Sequence, residues 1–439
     1  MAGRGRVPTG WAEETVISDA SFRLAHQSVI SSTNKKRKRE EAGAPKPRRS
    51  PWDKFEDERT PEASSDEEGV EVIYEEDEIE EQPTAPATKA GTAYEETGDG
   101  HETTAFYGES IHDYQGRSFL HIPSELRGEV AHTQNYVPKK LVHTWKDHTK
   151  AISQLRFFPE SGHLLLSASA DSTVKLYDVQ SRELLRGYMG HSKSVNDICF
   201  NNDGTRFLTS SYDRQMKLWD TETGACLSRF STGKTAHVLR FNPDPSLNHE
   251  FLAGMSDKKI VQFDTRTGAQ VQEYDHHLGP VNTITFCDEN RRFMTTSDDK
   301  SLRAWEYGIP VPIKLVSDPS MFSMVRSSPH PSKPFVAYQS ADNQVLIYGS
   351  SDRFRQNRKK SFRGHNTAGY AIDVAISPMG NIVSSGDSGG YVCFWDWKTT
   401  KMWHKIQASD AAVLACQWHP REKSKLVTGD LNGVIKYWD

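Results

Sequence analysis

The sequence predicts an all-β fold, a seven-bladed β-propeller, behind a long and mostly disordered N-terminal arm. Three observations carry this prediction. An aromatic–acid marker recurs at even spacing, each period holds four strand-like runs, and charge divides the chain into two unlike parts.

Residues 1–138 hold 16 Lys and Arg against 28 Asp and Glu, a balance of −12, whereas residues 139–439 hold 38 against 31, a balance of +7. Hydrophobic residues make up only 36% of the 439, so a sizeable part of the chain belongs to no packed core. That part is placed at 1–101, a tail basic first and then acidic. Lys35, Lys36, Arg37, Lys38 and Arg39, followed by a second cluster at Lys46, Arg48 and Arg49, suit a nuclear import signal, which is read as charge on an extended chain. Ten of the sixteen residues from Asp66 to Glu81 are acidic, and like charges at that density oppose compaction. Aromatics return over 102–138, at Phe106, Tyr107, Tyr114, Phe119 and Tyr136, without helical period or long alternation. This stretch reads as an extended docking arm, with Tyr114, Arg117 and Phe119 as its candidate contacts, seated either on another protein or on the chain's own C-terminal domain.

The C-terminal 300 residues carry the repeat. Its marker reads LYD at Leu176–Asp178, then LWD, QFD, AWE, IYG, FWD and finally YWD at Tyr437–Asp439. Successive third residues lie 42, 44, 42, 43, 47 and 43 apart, 43.5 on average. Copy two shows the content of one period: Val195–Phe200, an Asn-Asp-Gly turn, Phe207–Ser211, a turn at Asp213, Met216–Trp219, Thr-Gly, and Cys226–Phe230. Four short strands per unit of 40–45 residues match one propeller blade. Gly190-His191 and Gly364-His365 open two units, Asp147-His148 and His276-His277 keep the histidine alone, and the pattern resembles the WD-repeat family.

Seven markers imply seven blades, yet the last ends after three strands. An open blade would expose a sheet edge. Residues 139–146, KKLVHTWK, are the expected fourth strand, so the propeller spans 139–439 and is closed by its own first segment.

Blade two offers His191, Ser211, Asp213 and Trp219, and a Ser-His-Asp set raises nucleophilic catalysis. Blade four repeats the set as His277, Ser297, Asp299 and Trp305, and blade one as His148, Ser169, Asp171 and Tyr177. Catalysis needs one preorganised constellation, and repetition favours buried hydrogen-bond networks that tie each blade together. Blade six has Gly389 in place of the turn acid and blade seven lacks the histidine, so their networks are expected to be incomplete. No phosphate-binding loop, metalloprotease or kinase motif is present. The reading is therefore a binding platform and not an enzyme, with no cofactor, no metal and no small-molecule substrate. The five cysteines are dispersed and read as buried free thiols. No run of eighteen apolar residues exists, so no membrane span is expected.

The feature pointing to a partner is Arg353, Arg355, Arg358, Lys359, Lys360 and Arg363, six cations within eleven residues, interleaved with Phe354 and Phe362. They coincide with the longest interval, 47, and suggest an extended basic loop that meets RNA or an acidic partner. The competing reading is a solvated loop leading into the next strand.

DYQGRSFLHIP at 113–123, AGMSDKKIVQFD at 253–264, VNTITFCDENRRFMTTSDDKSLRAWE at 281–306 and WDWKTTK at 395–401 together resemble a family of WD-repeat splicing factors. The resemblance implies a nuclear, non-catalytic scaffold of the spliceosome, supporting the second transesterification step of pre-mRNA splicing by stabilising the remodelled catalytic core. Its implied partners are spliceosomal proteins and small nuclear RNA or pre-mRNA. The alternative is a substrate receptor of a cullin-type ubiquitin ligase, for which Trp395-Asp396-Trp397-Lys398 and Phe263-Asp264-Thr265-Arg266 are imperfect versions of the Trp-Asp-x-Arg signature.

Overall fold

The computed structural model describes residues 95–97, 102–112, 115–128, 134–351 and 353–439. The expected tail over 1–101 lies outside these residues apart from Glu95–Thr97, and the import-type residues Lys35, Lys36, Arg37, Lys38 and Arg39 lie outside them with it.

Seven antiparallel sheets follow one another around a ring. Each runs outward from an inner strand that alternates buried and half-buried residues, as in Val195–Phe200, to an outer strand exposed on one side, as in Cys226–Phe230. The two middle strands are buried on both faces, because each sheet is sandwiched between two neighbours. This is why Leu164–Ser169 and Ile382–Gly386 are buried at every position. The apolar side chains gather into one cluster per seam. Phe158, Val195 and Trp219 join blade one to two, Val238, Tyr274 and Trp305 join three to four, and Phe362, Trp395 and Trp397 join five to six.

The last seam closes the ring. Leu141–Trp145 pairs antiparallel with Ile435–Trp438 and becomes the fourth strand of blade seven. Asp439 adds a clasp, its carbonyl accepting from the amides of Lys139 and Lys140 while its own amide donates to the Lys140 carbonyl. Trp145 then packs with Tyr177 of blade one and Tyr437 of blade seven.

Blade one departs from the pattern. Its sheet has six strands, because Thr103–Phe106 pairs with the outer strand Leu184–Met189 and Glu95–Thr97 pairs with Thr103–Phe106 in turn. The arm therefore lies on the chain's own propeller as an added strand.

Inner strands share a second device. In blades one to five and in blade seven the first pairing is broken by a bulge, between Ile152 and Gln154 in blade one and between Val195 and Asp197 in blade two. The extra residues are Ser153, Asn196, His237, Asn282, Val325 and Leu414. A bulge re-aims the residue it releases, and all six line one mouth of the central channel.

Candidate functional site

Four features of this scaffold bear on function: the polar networks, the arm, the basic rim and the channel.

In blade two, Trp219 Nε1 donates to Thr209 Oγ1 at 3.0 Å, Thr209 Oγ1 lies 2.7 Å from His191 Nε2, and His191 Nδ1 lies 2.7 Å from Asp213. With the Nδ1 proton on the carboxylate side, Nε2 accepts from the threonine hydroxyl, and the chain runs in one direction from indole to acid. Blade four repeats it with Trp305, Thr295, His277 and Asp299. In blade one Ser167 contacts His148, which contacts Asp171, and the Tyr177 hydroxyl is buried without a hydrogen-bond partner.

These contacts correct the expected membership. Ser169, Ser211 and Ser297 do not touch the histidines. Ser211 Oγ donates to the Lys193 carbonyl and accepts from the Asp213 amide; Ser169 does the same with Lys150 and Asp171, and Ser297 accepts from Asp299. The reason is register. Trp219 lies opposite Phe207, and Ser211 lies opposite Gln215 at the far end of the strand, about 13 Å away at roughly 3.3 Å per residue. The indole reaches only Thr209. Ser211 and His191 are thus not a nucleophile and its base.

Burial works to raise the Asp171 carboxyl, but the hydrogen bond and charge of His148, with help from Thr173, hold it well below the usual carboxylate range. Asp213 and Asp299 are held low by His191 and His277 against the same opposition. In blade six His365 turns to Gln339 of blade five at 3.0 Å and its Nδ1 has no partner, while Asp387, two residues before Gly389, accepts from the Gly389 amide. In blade seven Ser409 stands in for the histidine and donates to Asp430 at 2.6 Å.

The arm is fixed by charge as well as by pairing. Glu102, only 4% exposed, accepts from Lys217 Nζ of blade two at 2.5 Å and from Arg229. Burial pushes the Glu102 carboxyl up, and the two cations outweigh it and hold it below its ordinary value. Arg186 is buried beneath the arm, donating to the carbonyls of Thr223 and Glu222 and lying 5.2 Å from the centre of the Phe106 ring. Phe106 stacks on Phe119, whose carbonyl meets His163 at 3.1 Å. Of the expected arm contacts, Phe119 packs half-buried on the seam of blades one and two, Arg117 is exposed, and Tyr114 lies outside the described residues. Sequence reading missed Glu102, Arg186 and Asn135. Asn135 donates to the carbonyls of Glu422 and Lys423 in blade seven and accepts from the Met379 amide in blade six. A lone asparagine in an irregular stretch gives no sequence signal.

Most of the basic segment is a strand, with Arg353 and Arg355 in the turn that leads into it. Gln356–Arg363 is the outer strand of blade five. Two steps on the neighbouring strand, Leu346 to Tyr348, face five on this one, Ser361 to Gln356, so the long repeat interval is absorbed as a bulge. Phe354 and Phe362 are buried in the seams on either side and pin both ends, which lets a run of poor strand formers pair. Arg353, Arg355, Arg358, Lys359 and Arg363 are exposed. Lys360 is engaged with Trp397, donating to its carbonyl at 2.6 Å and lying 4.7 Å from its ring centre, and Arg358 Nη2 lies 3.7 Å from Asp318. Exposed cations on an outer strand also discourage edge-to-edge pairing.

Of the Trp-Asp-x-Arg candidates, Asp396 is taken up by Thr399, and Arg266 folds back onto Asp264 at 3.3 Å.

The channel holds a cluster of opposite charges. Arg240 Nη1 meets Asp197 at 2.7 Å, and Arg156 lies 3.6 Å from Asp197 and 3.9 Å from Asp373. Burial pushes the Asp373 carboxyl up and the Arg156 guanidinium down. Arg156 and Arg240 face a cavity of about 730 Å³ on one side; Arg326 faces one of about 300 Å³ on the other.

Ring, blades and networks define a WD-repeat propeller, and the "WD domain, G-beta repeat" model matches residues 139–178, 182–220, 268–306, 356–396 and 400–439. The chain belongs to the pre-mRNA-processing factor 17 family. It is 51% identical to the mouse protein of that name and 50% to the human one, in each case over 394 residues, 89% of this chain and 66% of the relative. It is 36% identical to the Saccharomyces cerevisiae protein of that name over 347 residues, 77% of this chain and 76% of the relative. The chain thus spans about two thirds of the length of its mouse and human relatives.

Proposed function

We propose that this protein is a nuclear, non-catalytic scaffold of the spliceosome that supports the second transesterification step of pre-mRNA splicing. One observation carries the reading: the similarity to proteins named pre-mRNA-processing factor 17 runs over 89% of the chain, which takes in the arm together with the propeller. The physical design agrees with such a role. Polar groups that could do chemistry are spent inside blades, and the arm is locked to a ring whose rim carries exposed cations. The ring stabilises the remodelled catalytic core by offering a preformed surface, so little ordering entropy is lost on assembly. The cations at Arg353–Arg363 contact the phosphates of small nuclear RNA or pre-mRNA.

Extract depleted of the protein is expected to accumulate first-step intermediates, with second-step yield restored by the purified chain. Normal second-step yield after depletion overturns the proposal. For the basic rim, replacing Arg358 and Lys359 with glutamine should flatten the salt dependence of RNA binding by about 0.7 in log–log slope per lost phosphate contact, and an unchanged slope removes the rim from the RNA contact.

A further inference from the structure

In the channel mouth faced by Arg326, that guanidinium has no carboxylate within ion-pair distance among the described residues. Three guanidiniums, of Arg156, Arg240 and Arg326, enter the channel, with Asp197 and Asp373 among them and Asp298 at the edge of this mouth. Both carboxylates are within ion-pair distance of Arg156, and Asp197 also of Arg240. Arg326 has carbonyls alone as hydrogen-bond partners, its Nε donating to Ala371 at 3.5 Å and its Nη2 to Ser153 at 3.4 Å, and it reaches Asp197 and Asp373 only through its charge at longer range. Both bonds are long, and a guanidinium has five N–H donors to satisfy. The side chain reaches from blade five to blades six and one, so it crosses the opening.

The rest of the mouth suits a small anionic group. The Ser153 hydroxyl is buried there without a partner. Tyr212 and Tyr370 stand half-exposed at the rim, and Tyr212 meets the His237 ring edge-on at 6.4 Å. Burial lowers the His237 pKa, Asp298 opposes this and the Arg326 charge adds to it. Asp298 accepts from Asn282 and Ser323 at the edge of the cavity and disfavours a doubly charged ligand.

We propose that this mouth receives one carboxylate side chain, an aspartate or glutamate of an extended partner segment, held by the Arg326 guanidinium and flanked by Tyr212 and Tyr370. A guanidinium with no carboxylate at ion-pair distance, and with Asp298 already at the rim, favours a monoanion, and the planar fork of arginine matches a carboxylate. The cavity of about 300 Å³ admits a side chain and not a folded domain. This inference goes beyond the proposed role in splicing and does not rest on it.

The test is a titration of the full-length protein, labelled with ¹⁵N at arginine Nε, with three capped pentapeptides: Gly-Gly-Asp-Gly-Gly, its asparagine counterpart and its phosphoserine counterpart. The aspartate peptide should shift the Arg326 Nε–H resonance saturably and leave Arg156 and Arg240 unmoved, with the asparagine peptide at least tenfold weaker. Followed by isothermal calorimetry, Arg326→Met should abolish binding of the aspartate peptide, and Tyr212→Ala, a change at the exposed rim, should weaken it several-fold. The proposal fails if aspartate and asparagine peptides bind alike, if Arg326→Met still binds, or if phosphoserine binds tenfold tighter than aspartate. Should Arg326→Met not fold, the comparison of aspartate with asparagine on the native chain decides alone.

Discussion

Threonine 209 shows how much a single hydroxyl carries. It accepts from Trp219, meets His191 and also approaches the Lys217 carbonyl, so removing it strands an indole N–H and an imidazole nitrogen in the blade interior. Thr209→Val should cost about 1–3 kcal/mol, the usual penalty for buried groups left unpaired. Ser211→Ala leaves that chain intact and loses only the ties to Lys193 and Asp213, about 1 kcal/mol. Chemical denaturation of the two variants checks the order, and a larger loss for Ser211→Ala would restore the serine to the network. His191, Asp213 and Trp219 could be proposed from the sequence, but the hydroxyl that meets the histidine is that of Thr209 and not of Ser211. Thr209 and Ser211 lie on the same side of one strand, and only the cross-strand position of Trp219 tells them apart.

Strands show a different balance between what can be read and what cannot. Alternation and turn residues revealed the repeating strands, and the missing fourth member of blade seven pointed to 139–146. Removing residues 139–146 takes away the partner of Ile435–Trp438, the Asp439 clasp and Trp145 together. The truncated protein is expected to melt at least 10 °C lower, and an unchanged melting temperature would show that the strand is dispensable. The added strand Thr103–Phe106 was not legible, because its four residues carry no alternation and its anchor, Glu102, is one acid among many in that half of the chain. Glu102→Gln leaves Lys217, buried at the same contact, without its carboxylate. The expected loss is about 3 kcal/mol, and it should be largely relieved by adding Lys217→Met, which a double-mutant cycle would measure. The basic strand of blade five is only the competing reading of the sequence, for the opposite reason: its charges resemble a loop, and what holds it as a strand is the burial of Phe354 and Phe362 on either side.

Across the whole ring, pH sensitivity gathers at the seams. His330 of blade five meets the Gly380 carbonyl of blade six at 3.2 Å, His365 meets Gln339 of the preceding blade, and His419 of blade seven lies against Phe157 of blade one. Burial lowers their pKa values to about 4, 4 and 3. A histidine lowered in this way binds its proton more readily unfolded than folded. Its contribution to stability is complete above about 6.5, the ordinary value, and is lost as pH falls from there toward 4. Each contributes up to about 1.4 kcal/mol per pH unit within that window. Melting temperature should therefore fall steadily from pH 7 to pH 4.5, and His365→Gln should flatten the curve. A profile level down to pH 4.5 would contradict the seam assignment. The acids of the blade networks, held low by their histidines, add to the loss only below about pH 4. None of these seam contacts was legible beforehand, since each pairs residues of different blades whose relative placement is set by ring closure.

Ring closure also sets a clock on the making of this protein. Leu141–Trp145 leaves the ribosome early and must wait for Ile435–Trp438, roughly 290 residues later, which at 5–20 residues per second means about 15–60 s of synthesis. Throughout that interval blade one lacks its seventh neighbour, and Ile152, Leu155 and Tyr177, buried in the finished seam, face solvent. The pairing that completes the molecule is also its most distant in sequence, the kind that forms slowly. The arm strand, pairing across only about 80 residues, can cap the outer edge of blade one long before then, so the newborn chain already carries one protected edge while Leu141–Trp145 and one face of blade one await the last blade.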